Sequence, residues 1–217
     1  QIRLEQIREI KSFLSNQAIE AELGMVVIED AAEAHGQEVD NKKCGSFGKV
    51  STLSFYANKH ITTGEGGAVL TDSEEIYLKI KKIFNLDFGQ ENRFNHEHLY
   101  WNFRMSGLQA SLGLSQINNL RKTIDSKRNQ AKIYDEYLSK IDEYVQIPLT
   151  KNNFSENHYW VYGIVIKKEG LRDKLMHYLL ENNIQTRQFF WPLHLQKSLP
   201  ENLKNKDLKL KNSEYIG

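Results

Sequence analysis

The amino-acid sequence predicts an α/β fold. Three short runs with strand composition, Met25–Glu29, Ser51–Tyr56 and Ala68–Thr71, follow an amphipathic helical stretch over residues 2–14 and precede further helices. Helices and strands that alternate in this way are typical of α/β domains. The hydrophobic content of 40% and the charged content of 26% are ordinary for a globular protein that buries a core.

Glycine and serine residues mark the ends of the first predicted helices and strands. A second helical piece over 18–23 ends at Gly24, which leads into the first strand. Gly64 and Gly66 mark a bend between the second and third strands. Ser73 and the two glutamates after it predict the start of the next helix, because a hydroxyl caps the first turn and acidic side chains stabilise its positive end.

A smaller second domain is predicted in the C-terminal third. Residues 106–141 have helical periodicity, with a polar stretch at Leu120–Ser126 that allows a bend. A strand at Tyr159–Ile166, a helix at Gly170–Glu181 and a strand at Ile184–Thr186 then predict a small α+β domain. We therefore divide the chain into part of a large domain (1–120), a connecting helix (121–144) and an incomplete small domain (145–217).

Charge and cysteine usage limit the classes of partner and compartment. The net charge of +1 gives no reason to expect nucleic acid or a membrane surface as a partner. No apolar run approaches the length of a membrane span. The single cysteine, Cys44, excludes an internal disulfide and fits the reducing cytoplasm, where we expect the protein to act.

Two chemically suggestive residues follow strand-like runs. Asp30 closes the first run, and Lys59 lies on the turn after the second. In an open α/β sheet, ligands bind at the carboxyl ends of strands, and a fixed lysine beside a carboxylate suits an aldehyde cofactor such as pyridoxal phosphate. The alternative is a solvated loop lysine and an aspartate that caps a helix. Spacing alone favours this alternative.

Four motifs, which follow one another with short spacers, favour the cofactor site over this alternative. They are Val27-Ile28-Glu29-Asp30-Ala31-Ala32-Glu33-Ala34-His35-Gly36, Gly45-Ser46-Phe47-Gly48, Ser54-Phe55-Tyr56-Ala57-Asn58-Lys59 and Thr62-Thr63-Gly64-Glu65-Gly66-Gly67. This wording resembles the DegT/DnrJ/EryC1/StrS family of pyridoxal-phosphate-dependent nucleotide-sugar aminotransferases, and within it the perosamine synthase branch. The resemblance implies fold-type I, with part of the large mixed-sheet domain and most of a small α+β domain present. The resembled family extends beyond both ends, so we expect an internal fragment.

The resemblance also implies roles for single residues in the large domain. Lys59 forms the Schiff base with pyridoxal 5'-phosphate, and Asp30 keeps the ring nitrogen protonated. Glu33 lies where a family residue reaches the ring hydroxyl, and Ser54 where a serine binds the phosphate. Asn102 matches an asparagine that reaches the phosphate in the neighbouring subunit, which implies a homodimer, although Tyr100 stands where the family has glycine.

Substrate-binding residues are implied at two further places. His96 matches a histidine near the active-site mouth, where a substrate role is implied. Arg187 and His194 lie in a segment that resembles the family's border of the sugar-nucleotide site, where an arginine binds phosphate, and the alternative for both is loop packing between domains. His96 and His98 lie two apart on a loop without a convincing third ligand, so we expect no metal site.

The function implied by the resemblance is transfer of an amino group, with glutamate as expected donor, to a nucleotide-linked 4-keto-6-deoxyhexose. Such sugars enter polysaccharides such as O-antigen. Two alternatives stay open. The chain is a truncated non-catalytic remnant, or it is a 3-dehydratase of the same family, a chemistry associated with histidine at the position that Lys59 occupies here.

Overall fold

The computed structural model describes residues 25–89, 93–201 and 209–216, which form two compact units. The first unit contains the described residues up to 131 together with Leu149–Trp160. The second contains Lys132–Pro148 and the described residues from 161 onwards. The helices predicted over 2–14 and 18–23 lie outside the described residues, and the domain boundaries drawn from the sequence stay a prediction.

A three-stranded mixed sheet organises the first unit. Strand β4 (Val50–Ser54) lies in the centre, parallel to β1 (Ile28–Asp30) and antiparallel to β5 (Gly67–Leu70). Asp30 pairs with Thr52 in the register, so β1 and β4 point the same way and end at the same edge. The predicted α/β class is confirmed, although β1 begins at Ile28 rather than Met25 because its ladder with β4 begins there.

Between β1 and β4 lies a small hairpin, with β2 at Glu38–Val39 and β3 at Lys42–Lys43. Its two turn residues, Asp40 and Asn41, both have positive φ angles, of 51° and 63°. Aspartate and asparagine tolerate this conformation, and two such residues match the twist of a tight hairpin.

Three helices complete the first unit and lead out of it. The side chain of Ser73 caps α1 (Glu74–Phe84) as predicted. Helix α2 (Gly107–Ile117) begins with a reciprocal capping box between Ser106 and Gln109. Helix α3 (Leu120–Leu138) follows after a break at residues 118–119, slightly before the predicted bend, and a 3-10 turn at Ser139–Ile141 ends the helical run.

The second unit contains the two-stranded antiparallel pair β6 (Val145–Gln146) and β7 (Val165–Ile166). It also contains α4 (Leu171–Glu181), a 3-10 turn at Leu193–Leu195 and α5 (Lys211–Ile216). Helix α4 confirms the predicted amphipathic helix.

Two strands predicted for this region are wrong in extent or position. The strand predicted at Tyr159–Ile166 is reduced to β7, because Tyr159 has a φ of 51°, which no strand accommodates. Residues 184–186 are not a strand, since no ladder partner lies beside them among the described residues. Residues with strand composition form strands only where a neighbouring chain completes the hydrogen bonds.

The core of the first unit is small. Ala31, Ile61, Ile124, Ala131 and Tyr159 are buried there. None of the helices in the described ranges has both the length and the apolar character needed to cross a bilayer.

Candidate active site

The turn that carries Lys59 is a closed loop over residues 55–66. The Phe55 amide donates to the Gly66 carbonyl at 2.8 Å, and the Thr63 amide donates to the Phe55 carbonyl at 2.9 Å. Gly66 has a φ of 152°, and a Cβ there would lie 2.5 Å from the Thr63 hydroxyl oxygen. Glycine is therefore required at this position, and Lys59 projects from a fixed backbone.

Helix α2 holds the same loop from one side through Gln116. The side-chain amide of Gln116 donates to the Thr62 carbonyl at 2.8 Å, and its oxygen accepts from the Thr62 amide at 3.2 Å. One glutamine therefore pairs with both backbone groups of one loop residue. This contact could not be predicted from the sequence, because an isolated polar residue on a predicted helix has no pattern that distinguishes it.

The side chain of Lys59 is 9% exposed and has two close neighbours. Its Nζ lies 3.0 Å from the Glu33 carboxylate and 4.1 Å from the centroid of the Trp160 ring. Glu33, predicted to reach a cofactor hydroxyl, is thus adjacent to Lys59. Trp160 was not among the residues predicted from the sequence, since it lies about a hundred positions further along the chain.

Asp30 and Ser54 lie at the edge where β1 and β4 end. Oδ1 of Asp30 accepts from the Ala32 amide at 3.1 Å and from the Thr52 hydroxyl at 3.4 Å. The Ser54 oxygen accepts from the Tyr56 amide at 3.2 Å, so its own proton is available for donation. The parallel pairing therefore puts both predicted cofactor-binding residues at one end of the sheet.

Glu29, the residue before Asp30, fixes the glycine loop between β3 and β4. Its carboxylate accepts from the amides of Gly45 (2.6 Å), Phe47 (2.8 Å) and Gly48 (3.3 Å) and from the Ser51 hydroxyl (2.9 Å). Burial alone would raise the pKa of Glu29, but these four hydrogen bonds outweigh it and lower the pKa. Consecutive side chains of a strand point to opposite faces of the sheet. Glu29 therefore supports the glycine loop, whereas Asp30 points to the other face at the end of β1.

Three histidines lie beside the Lys59 turn. His35 is buried and packs on Phe55 with ring centroids 5.4 Å apart, and neither ring nitrogen has a hydrogen-bond partner among the described residues. Burial, together with His60 and Lys59, lowers the pKa of His35. Burial and the neighbouring His60 lower the pKa of His158 to about 4. These rings therefore stay neutral at physiological pH.

Asn102 lies on the segment that runs back beside the end of α1. It forms an isolated bridge with Asn85, and its Oδ1 accepts from the amide (3.2 Å) and Nε (2.9 Å) of Arg104. Because Arg104 occupies the oxygen, the NH₂ group of Asn102 is the end left for a ligand. Asn102 is exposed.

The loop that carries His96 is held by a buried carboxylate. Oδ2 of Asp87 accepts from the amides of Glu97 (3.0 Å) and His98 (2.8 Å) and lies 3.2 Å from Nδ1 of His98. Ligand atoms of these three residues lie within 4.8 Å of one another, but the carboxylate already serves as a cap for the loop. His96 itself is exposed and packs on Phe88 with centroids 5.4 Å apart.

Arg187 and His194 belong to the second unit, whereas the other predicted site residues belong to the first. Arg187 is exposed. His194 follows the start of the 3-10 turn, and its Nε2 lies 2.9 Å from the Glu214 carboxylate on α5. The hydrogen bond from His194 lowers the pKa of Glu214. The first unit therefore brings Lys59 and Glu33 together and places Asp30 and Ser54 at one edge of its sheet. Arg187 and His194 lie in the second unit.

Comparison with known proteins assigns the chain to a family. The profile of the DegT/DnrJ/EryC1/StrS aminotransferase family matches residues 10–217. The chain belongs to this family. The resemblance inferred from the motifs is therefore confirmed, and the family is dependent on pyridoxal phosphate.

Individual relatives agree with that assignment. The chain is 39% identical to GDP-perosamine synthase of Vibrio cholerae over 175 residues, which cover 80% of this chain and 47% of that protein. It is 34% identical to GDP-perosamine synthase of Escherichia coli O157:H7 over 170 residues, 78% of this chain and 46% of that protein. It superposes on Helicobacter pylori PseC, an aminotransferase involved in the biosynthesis of pseudoaminic acid, with a TM-score of 0.78 and 26% identity over 92% of this chain and 54% of PseC. The chain thus spans about half the length of the relatives it matches.

Proposed function

We propose that this chain carries the catalytic lysine of a pyridoxal-phosphate-dependent aminotransferase that aminates a nucleotide-linked 4-keto-6-deoxyhexose, with glutamate as donor. The observation that supports it most directly is the placement of Lys59. A lysine with a nearly buried side chain projects from a closed turn that follows β4, and the parallel neighbour β1 ends in Asp30 at the same edge. Family membership and the GDP-perosamine synthase relatives support the substrate class.

The side chains at this edge fit the proposed cofactor. Among the described residues, both contacts of the Asp30 carboxylate use Oδ1, so Oδ2 is left to accept a hydrogen bond from a ring N–H. The Ser54 hydroxyl and the Asn102 NH₂ group are donors, as a phosphate requires. Lysine at position 59, rather than histidine, favours amination over dehydration.

Each residue then has a definite task. Pyridoxal phosphate, when bound, supplies an aldehyde that links covalently to an amine and a protonated ring that withdraws electrons. Asp30 would hold the proton on the ring nitrogen, and Ser54 would donate to the phosphate. Lys59 would bind the cofactor at Nζ and, once released by the incoming amine, would move a proton from the donor carbon to the cofactor carbon as general base and then general acid. Glu33, beside Lys59, is placed to accept a proton or to orient the amine.

The cofactor experiment tests this directly. The purified protein mixed with pyridoxal phosphate is expected to develop a visible absorption band, and reduction with borohydride is expected to attach the label to Lys59. Lys59→Ala removes the band, whereas Lys174→Ala, a substitution at an exposed lysine on α4 in the second unit, retains it. A wild-type protein that shows no band, or a label on another lysine, contradicts the proposal.

We further propose that the active form is a homodimer in which Asn102 acts across the interface. Exposed apolar residues precede and follow it in the sequence, which supports a protein partner for this segment: Leu99, Trp101, Phe103 and Leu108 are 65–90% exposed. Mixing Lys59→Ala and Asn102→Ala proteins would restore roughly a quarter of wild-type activity. Half of the randomly paired dimers contain one copy of each variant, and in each of these one of the two sites combines an intact Lys59 with an intact Asn102 from the other subunit. Two inactive proteins that stay inactive when mixed, although they exchange subunits, contradict action in trans.

The setting of this reaction is also part of the proposal. The acceptor would be a nucleotide sugar destined for a surface polysaccharide, and the enzyme would act in the cytoplasm, where nucleotide sugars and glutamate are available. Assay with GDP- and dTDP-linked 4-keto-6-deoxyhexoses, with glutamate, tests the acceptor class. Amination of neither acceptor by the protein carrying bound cofactor contradicts this part.

A further inference from the structure

A segment far along the sequence from Lys59 is fastened to the unit that contains it. We call Leu149–Trp160 the strap. The Asp40 amide donates to the Phe154 carbonyl at 2.8 Å, and Nε of Arg128 donates to the Asn157 carbonyl at 3.0 Å. The strap therefore follows the surface of the first unit through hydrogen bonds to its backbone, although it lies beyond α3 in the sequence.

The end of the strap lies on Lys59. The Trp160 ring centroid is 4.1 Å from Nζ of Lys59, close enough for a cation–π contact. The indole N–H donates to the Asn58 carbonyl at 3.1 Å, which ties the ring to the residue next to Lys59. The position of the ring is therefore fixed relative to the backbone of the turn.

The second neighbour of Lys59 is tied to the same strap. Nε2 of His158 donates to the Glu33 carbonyl at 2.7 Å, and Nε2 of His60 donates to the His158 carbonyl at 3.2 Å. A carbonyl oxygen only accepts, so both rings carry their proton on Nε2. Glu33 and Trp160, the two groups that contact the Lys59 amine, are thus connected through residues 158–160.

Tyr159 sets the direction of the strap at this point. It is 3% exposed and has a φ of 51°, a conformation that tyrosine rarely adopts. This left-handed residue interrupts the extended path of the strap, and the residues on both sides of it contact the Lys59 region, His158 through the Glu33 carbonyl and Trp160 through Lys59 and Asn58. Such a conformation is retained where the surroundings fix it, and this is typical of functional sites.

We propose that Trp160 is a positioning residue for Lys59, whose amine its indole ring holds against Glu33. A lysine has four rotatable bonds before Nζ, and two fixed neighbours reduce the positions that the amine visits. The consequence rests on the proposed function, because a positioned amine matters most if Lys59 moves protons. The contact itself is independent of the cofactor and can be measured without it.

The first test uses the wild-type protein without cofactor. Reductive ¹³C-methylation keeps the charge on lysine amines, and methyl groups above an aromatic ring resonate upfield. The Lys59 resonance, assigned by its loss in Lys59→Arg, is expected to be shifted upfield. Lys168 is the internal reference, since its Nζ lies 3.9 Å from the Tyr144 ring. A Lys59 resonance at the position of exposed lysines such as Lys174 overturns the proposal.

The second test removes the ring. Trp160→Leu returns the Lys59 resonance to the unshifted position and leaves Lys168 unchanged, whereas Tyr144→Leu has the converse effect. Trp160→Ala is expected to accelerate acetylation of Lys59 relative to Lys168 on the order of two- to fivefold. This change corresponds to the loss of one cation–π contact at a site with little desolvation. Equal rates in folded variants contradict a positioning role. If the leucine and alanine variants fail to fold, the wild-type resonance still decides.

Catalysis supplies the third readout. With cofactor bound, Trp160→Leu is expected to lower kcat with an unchanged KM for glutamate, and Trp160→Phe restores most of it because a ring remains. A change in KM alone overturns the positioning role. Absence of the cofactor band together with a shifted Lys59 resonance contradicts the proposed function and not this contact, whereas a band with an unshifted resonance contradicts this contact alone.

Discussion

The turn that carries Lys59 and the segment that carries Arg187 and His194 were both identified by motif, but they differ in structure. Residues 55–66 close on themselves, are held by Gln116 and bring a nearly buried amine against two neighbours. Residues 184–192 have no regular structure, and Arg187 is exposed. The proposed chemistry is therefore built within one unit, whereas the proposed sugar contacts lie on an exposed, irregular segment of the other unit.

The largest expected effect separates these two regions kinetically. Lys59→Ala is expected to lower kcat by about 10²–10⁴-fold, the range for loss of a general base. Arg187→Ala is expected to raise KM for the nucleotide sugar by roughly 10–100-fold with little change in kcat, as loss of a charge-assisted hydrogen bond does. Steady-state assays of both variants check this. A large fall in kcat for Arg187→Ala, with KM unchanged, would remove the distinction.

The next effect concerns the stability of the unit that contains Lys59. Glu29→Gln keeps the shape but loses the charge that four donors share, so we expect about 2–3 kcal/mol of lost stability. Urea unfolding at neutral pH measures it, with Glu143→Gln, at an exposed position, as the control. Equal midpoints for the two variants would show that the glycine loop does not depend on this carboxylate.

Glu29 also gives a pH dependence with a definite sign. Its pKa is lower in the folded protein than in the unfolded chain. The stabilisation is therefore present above the unfolded pKa, and it is lost as the pH falls through the folded value. Unfolding curves from pH 7 downwards should show the wild type losing its advantage over Glu29→Gln in this acidic range. An advantage that grows on acidification would contradict the assigned role.

The smallest expected effect lies in the second unit. Glu214→Gln removes the charged partner of His194, and the pair is exposed on the Glu214 side, so global stability should change little. Faster amide exchange in α5, with unchanged exchange in α4, is the expected local result. In wild type the pKa of Glu214 is lowered, so the pair is intact above its ordinary pKa and weakens as pH falls through the folded value. Unchanged exchange in α5 would mean that the pair does not hold this helix.

The elements that the sequence predicted correctly are those in which a local backbone conformation requires a particular residue type. Ser73 and the glutamates after it predicted the start of α1, because capping involves only neighbours in the sequence. The glycines of the Lys59 turn likewise indicated a bend that only glycine permits. The strand predicted at Tyr159–Ile166 from its apolar composition is wrong in extent, because Tyr159 adopts a left-handed conformation at the end of the strap.

The sequence by itself determined the family, the α/β class, and the placement of Asp30, Ser54 and Lys59 at or just after the ends of their strands. These depend on local composition and on motif wording, which are complete in the one-dimensional chain. Tertiary structure alone decided that Glu33 pairs with Lys59, that Gln116 clamps the turn and that Trp160 covers the amine. Such contacts join residues separated by tens to about a hundred positions, and no local propensity encodes which of many exposed polar or aromatic side chains will meet once the strands are paired.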